Sequence, residues 1–275
     1  MAFKVGDYVA RKSYGADIHF RIVAIDQQTQ TAELKGIDMR LWADAPLADL
    51  IIVEEEVRLR MRDKEAEQTS SSVKELKQNR KRRDTFFELP GRVLHMDGDA
   101  LYLKKCLALY AELDIPVYGV HVPEKEMPER VYTLLKYIEP DILVLTGHDA
   151  YLKSRGNPAD LAAYRHSSHF QEAVRKARQY ERHRDNLIIF SGACQSHFEA
   201  LIEAGANYAS APDRVNIHAL DPVYIVEKAC YTPIHRVINL REVLEYSITG
   251  RAGLGGIDSR GTYRTGTPGM KINTE

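Results

Sequence analysis

The sequence predicts an α/β protein: a doubly wound, mostly parallel sheet preceded by a small β-barrel. Three observations carry this reading. Between residues 86 and 275 the runs GRVLHMD, PVYGVHV, DILVLTGHD and NLIIFSGAC are almost continuously apolar and alternate with helical patterns. Strands apolar on both faces lie inside a parallel sheet covered by helices, and right-handed crossovers wind such a sheet in both directions. Residues 1–53 are different: their apolar segments are short, β-branched and aromatic, and turns interrupt them. A chain of 275 residues and 31.3 kDa has room for one domain of ordinary size and one small one.

Taken in order, FKVGDYVARK, HFRIVAID, TAELKGI and MRLWA read as strands, with turns at Gly6-Asp7, Ser13-Tyr14-Gly15 and Asp26–Thr29. Four or five such strands bury little as a flat sheet, so residues 1–53 are expected to close into a barrel of the SH3-like kind. More than half of residues 54–85 are Asp, Glu, Lys or Arg, with no Pro or Gly among them. This predicts a solvated helical or partly disordered linker, ending in Arg80-Lys81-Arg82-Arg83. In the α/β domain, residues 86–275, helices are expected at Asp99–Leu113, Glu129–Tyr137, Ala159–Arg184 and Gln195–Ala204, with ANYASA a short fifth strand. The glycine-rich tail from Gly253 to Gly269 lacks periodicity and is expected to pack as loops.

Composition excludes several classes of function. Hydrophobic residues at 44% and charged residues at 28% are ordinary for a globular chain. Thirty-eight basic and 39 acidic residues give a net charge of −1, which argues against a dedicated nucleic-acid binder. No apolar run approaches the ~20 residues that span a bilayer, and MAFKVGDYVARK lacks a signal-peptide core. Cys106, Cys194 and Cys230 are too few and too scattered for a disulfide scaffold or a zinc cluster. A reducing cytoplasm is the expected setting, and no cofactor or metal is called for.

Sites in open α/β sheets form beyond the carboxyl ends of the strands. There the chain places His95, Asp97 and Asp99, then His121, then Gly147-His148-Asp149, then Gly192-Ala193-Cys194-Gln195-Ser196. His95, Asp97 and Asp99 make only a weak metal signal, and Cys106 and Cys230 read as core. Cys194 is expected where a buried strand breaks into a helix, so that free N–H groups and the dipole lower its pKa. The same N–H groups could serve an oxyanion. If the strands are neighbours, His148 projects from the same edge and supplies the base that such a nucleophile needs.

A histidine 46 residues before an Ala-Cys pair, each after an apolar strand, resembles the arrangement in caspase-like cysteine peptidases, among them legumain, clostripain and gingipain. Those peptidases usually carry Gly directly after the histidine. Here Asp149 follows His148, and Gly147 precedes it.

Longer blocks carry a more specific resemblance. VGDYVARKSY, PGRVLHMDGDALYLKKC, DILVLTGHDAY, AYRHSSHF, FSGACQSHFEALIEAGANYASAP, RVNIHALDPVYIV and GLGGIDSRG together resemble the sporulation-specific cysteine peptidase family YabG, almost end to end. The resemblance implies a caspase-like (or flavodoxin-like) sheet and a cysteine endopeptidase made in the mother-cell cytoplasm, becoming associated with the spore coat. Its implied partners are spore coat and cortex protein substrates. It implies His148 and Cys194 as the catalytic pair, with Gly147, Asp149, Gly192, Ala193 and Gln195 lining the site. It further implies cleavage after arginine and self-processing. Asp221, Glu199 and His166 are then candidates for the substrate pocket, His169 for orienting substrate, and Arg80, Arg82 and Arg83 for self-cleavage. Two alternatives stay open. One is another thiol enzyme, glutaminase- or DJ-1-like, with His218 as its histidine. The other is a non-catalytic coat scaffold.

Overall fold

A computed structural model describes residues 3–80 and 87–266. The N-terminal unit is a five-stranded antiparallel sheet built from β1 (Tyr8–Arg11), β2 (His19–Asp26), β3 (Thr31–Gly36), β4 (Trp42–Pro46) and β5 (Leu50–Ile52), in the order β4-β3-β2-β1-β5. Val9, Phe20, Ile22, Ala32, Leu34 and Ala45 fill one face, as the alternation in β2 and β3 requires. MRLWA is not one strand. β4 begins only at Trp42, and Met39 to Leu41 bridge instead to the α/β unit.

The described part of the charged linker forms a helix, α1 (Glu55–Arg80), polar nearly all round. Two of its residues, Val73 and Leu76, are buried against the α/β core. Arg82 and Arg83 lie outside the described residues.

The second unit is a six-stranded sheet. It holds β7 (Val93–Asp97), β8 (Val117–His121), β9 (Ile142–Thr146), β10 (Ile188–Ser191), β11 (Tyr208–Ser210) and β12 (Leu254–Gly256), in the order β12-β11-β10-β9-β7-β8. All neighbours are parallel except β12 on β11. A separate ribbon pairs β6 (Phe87–Leu89) with β13 (Arg264–Gly266). β7, β9 and β10 are buried at every residue, as their apolar runs predict.

Helices cover both faces. On one lie α2 (Ala100–Glu112), α6 (Asp221–Tyr231) and α7 (Leu240–Tyr246); on the other, α3 (Met127–Ile138), α4 (Ser167–Tyr180) and α5 (Phe198–Ala204). Asp99 caps α2 by accepting from the N–H groups of Leu101 and Tyr102. Met127, Val131 and Leu135 form the buried stripe of α3.

Several boundaries differ from expectation. α4 is shorter than Ala159–Arg184, because Leu161–Ala163 is a 3₁₀ turn. The glycine-rich tail supplies β12 and β13 rather than loops alone. Chain order across the parallel sheet reverses between β7 and β9, so a crevice opens at the carboxyl ends of those strands.

Candidate active site

Three strand ends meet at that crevice. Register sets Asp97 of β7 beside Thr146 of β9, and Leu145 of β9 beside Ser191 of β10. From Thr146 the chain runs into Gly147-His148-Asp149, and from Ser191 into Gly192-Ala193-Cys194-Gln195. Both predicted loops therefore sit side by side.

His148 is fully buried. Its ring lies edge-on to Trp42, with centroids 5.9 Å apart, and 5.1 Å from the ring of Tyr102. Its backbone N–H donates to Glu124 Oε1 at 2.8 Å. Nδ1 stands 3.6 Å from the same oxygen and Nε2 3.6 Å from Asp99 Oδ2. Among the described residues neither ring nitrogen has a hydrogen-bond partner, and none joins His148 to Cys194. Glu124 follows β8 and seats its carboxylate against Gly98 and Gly147, where any Cβ would collide with it. Burial pushes its carboxyl up, but the His148 hydrogen bond and the nearby charges of His166 and His148 outweigh that and hold it at about 2.

Cys194 is also fully buried, packed with Leu41, Ala150 and Ile217. Its Sγ accepts from Ile217 N–H at 3.2 Å and lies 3.5 Å from Ile217 O. The expected helix start is not there. α5 begins at Phe198 with His197 as its cap, and residues 192–195 form a turn with Gly192 at φ +111° and Gln195 at φ +55°. Without a helix dipole, burial dominates and pushes the thiol well above its ordinary range, and the Ile217 N–H and the Arg40 charge offset only part of this.

The backbone N–H groups of Cys194 and Asp149 converge on one oxygen, the carbonyl of Arg40, each at 3.4 Å. The other site-lining residues point elsewhere. Gly192 N–H donates to Leu145 O at 3.0 Å, Ala193 N–H to Ser196 Oγ at 2.9 Å, and Gln195 N–H to Val215 O at 2.9 Å. Gly147 offers its carbonyl to the Arg40 guanidinium at 3.5 Å. The Asp149 carboxylate is a brace: it accepts from Ala150 N–H, His166 N–H, Ser196 Oγ and Ser167 Oγ, tying the His148 loop to the Cys194 turn and to α4. Burial raises its pKa to about 6 against those four bonds.

The three predicted pocket residues do not meet a guanidinium in this crevice. Asp221 is buried at the start of α6, where it accepts from His218 N–H, Ile248 N–H and Thr249. Glu199 is half exposed and paired with Arg214 and His197. His166 borders the site beside Trp42, 6.0 Å between rings, and its Nδ1 faces His169 at 3.4 Å. Burial depresses the His166 pKa to about 4.

The acid that does meet a guanidinium is Asp97, which sequence reasoning set aside. Arg40 is wholly buried, its Nη1 2.9 Å from Asp97 Oδ2 and its Nη2 3.4 Å from Cys106 Sγ. His95, Asp97 and Cys106 bring donor atoms within 4.8 Å of one another, but the cation seated among them is Arg40's own. Burial pushes the Cys106 thiol up to about 12. His218 does not reach toward Cys194: Nε2 pairs with Glu65 at 3.2 Å and Nδ1 accepts from Leu220 N–H at 3.2 Å. His121 is exposed, and Cys230 is core. Arg80 is anchored by Glu227 at 3.0 Å and by Leu113 O at 2.8 Å. Among the described residues no helix is long and apolar enough to cross a membrane.

Comparison with known proteins fixes the class as a peptidase of sporulation. A family model described as YabG peptidase U57 matches residues 4–268. The chain is 48% identical to the sporulation-specific protease YabG of Bacillus subtilis (strain 168) over 286 residues, covering 98% of this chain and 99% of that one. The chain belongs to the YabG peptidase family.

Proposed function

We propose that this peptidase is a thiol endopeptidase with Cys194 as nucleophile and His148 as general acid and base. It would act after arginine on proteins of the spore coat and cortex, and on itself. The observation that carries the reading is the convergence of the Cys194 and Asp149 N–H groups on a single carbonyl oxygen beside the buried histidine. Two donors aimed at one carbonyl are what a tetrahedral oxyanion needs. Asp149 fills that role with its backbone, so the residue after the histidine need not be glycine. The guanidinium seat at Asp97 supports the arginine preference. The strand order β8-β7-β9-β10-β11 supports a caspase-like or flavodoxin-like unit, and β4-β3-β2-β1-β5 supports an SH3-like barrel.

In the reaction Cys194 passes its proton to His148 and attacks the scissile carbonyl. His148 protonates the leaving amine, then draws a proton from the water that hydrolyses the thioester. The raised thiol pKa makes proton transfer to His148 part of the attack rather than a step before it.

Purified wild type, Cys194→Ala and His148→Ala are to be compared on a fluorogenic arginine peptide. Both variants are expected to lose about 10⁴-fold or more in kcat. Full activity in Cys194→Ala would refute the thiol assignment. A His218→Ala enzyme that dies while His148→Ala survives would favour the glutaminase-like arrangement.

A further inference from the structure

We infer that the chain's own Arg40–Leu41 bond is a substrate of this site, and that Asp97 is the residue that selects arginine; both rest on the thiol-peptidase reading above. Between β3 and β4 the chain does not turn back directly. Residues 38–41 reach across to the strand ends of the α/β unit. Asp38 O accepts from Ala219 N–H at 2.9 Å, and Arg40 N–H donates to Ile217 O at 3.1 Å. Met39 bridges His218 antiparallel, and Leu41 bridges Asp149. The segment is thus laid along residues 217–219 as an extended peptide is laid on a sheet edge.

The Arg40 carbonyl then falls on the N–H groups of Cys194 and Asp149.

The side chain is held as a recognised group is held. Nε and Nη2 donate to Ala219 O at 3.2 and 2.8 Å, and Nη1 donates to Asp97 Oδ2 at 2.9 Å. Tyr102 lies 5.1 Å from the guanidinium carbon. The acid is also braced by groups other than the guanidinium: Oδ1 accepts from Asp99 N–H at 2.8 Å, and Oδ2 faces His95 Nε2 at 3.3 Å. His95 is held in turn by Tyr110. One carbonyl shared by two nitrogens of a planar fork favours arginine over lysine.

Cleavage balances simply. Cys194 Sγ bonds to the Arg40 carbonyl carbon as its proton moves to His148. The Arg40–Leu41 C–N bond breaks, and His148 returns the proton to the Leu41 nitrogen. Water adds to the thioester, releasing the Arg40 carboxylate and restoring the thiol, with one water consumed.

The test is intact mass and N-terminal sequencing of freshly purified full chain under denaturing conditions, for wild type, C194A, R40Q and D97N. An arginine peptide and its citrulline analogue are assayed in parallel. Wild type is expected to carry a new N-terminus at Leu41, with C194A and R40Q whole at that bond. D97N is expected to lose at least about 10²-fold in kcat/KM on the arginine peptide and most of its preference over citrulline. Because R40Q removes a buried ion pair, C194A, which keeps Arg40 and Asp97 in place, serves as the folded uncut control. Wild type that cuts the arginine peptide through Cys194, yet stays whole at Arg40–Leu41, overturns self-cleavage there and leaves the peptidase reading standing. A faster R40Q with an uncut wild type would make the segment an inhibitor, which also overturns it. D97N with undiminished arginine preference overturns the role of Asp97. Wild type inert on peptide and on itself sinks both readings together.

Discussion

Arg40 and Arg80 both come from outside the α/β unit and are each held by one of its acids, and they are held differently. Arg80, at the end of α1, gives only its side chain: to Glu227, to Leu113 O and to the ring of Tyr231, 3.7 Å from the guanidinium carbon. Its backbone belongs to a helix. Arg40 gives side chain and main chain together, its guanidinium to Asp97, its N–H to Ile217 and its carbonyl to two amides. A side-chain anchor fixes where a helix lies. A side chain and an extended backbone gripped together is the way a peptidase holds the residue before a scissile bond. The proposed processing site is therefore a lone arginine between two strands, apart from the basic run that the sequence singles out.

The sharpest way to break this contrast is to remove each acid. Asp97→Ala should abolish arginine cleavage and cost about 3–5 kcal/mol of stability, because it strands a buried guanidinium, read by denaturant unfolding alongside activity. Glu227→Ala should cost only about 1–3 kcal/mol and leave any cut at Arg40 unchanged; loss of that cut would erase the distinction. Glu124→Gln probes the histidine on the Arg40 side. As a positioning residue it should lower kcat by about 10- to 100-fold with little change in KM and displace the acid limb of the pH–rate profile, whereas a merely structural role would move only the melting temperature.

The smallest effect is on pH. Burial holds His166 at about 4, against about 6.5 when unfolded. The unfolded chain thus binds more protons between those values, so stability is full above about pH 6.5 and falls on acidification toward 4. Glu124, held at about 2, extends the loss below about pH 4.5. Asp149, raised to about 6, opposes this over the same range, so the His166 contribution is read as the difference between the melting curves of wild type and His166→Asn from pH 7 to 4.

How much could be read from the chain alone follows from what each element buries. β7, β9 and β10 announced themselves because both faces are covered and their residues are mostly apolar. The two site loops followed from those strands. β12 escaped because it is three residues, two of them glycine, on a sheet edge. α6 escaped because Asp221-Pro222 reads equally as a turn or as the first turn of a helix. Asp97 was visible at a strand end but had no evident partner, since Arg40 lies 57 positions earlier in what looked like a strand. Glu124, Tyr102 and Trp42 carry no motif at all. Only the fold brings them around His148.

The antiparallel ladders of the N-terminal sheet have a consequence for turnover. Residues 1–40 hold β1 to β3, while β4 and β5 lie beyond the Arg40–Leu41 bond, and the β3–β4 and β1–β5 pairings span it. Breaking the bond therefore frees neither piece. On the proposed cleavage the new Arg40 carboxylate would stay tethered beside Asp97, at an effective concentration on the order of millimolar. Any other substrate would then compete with a product that cannot diffuse away, and the lifting of residues 37–41 from the strand ends would limit turnover.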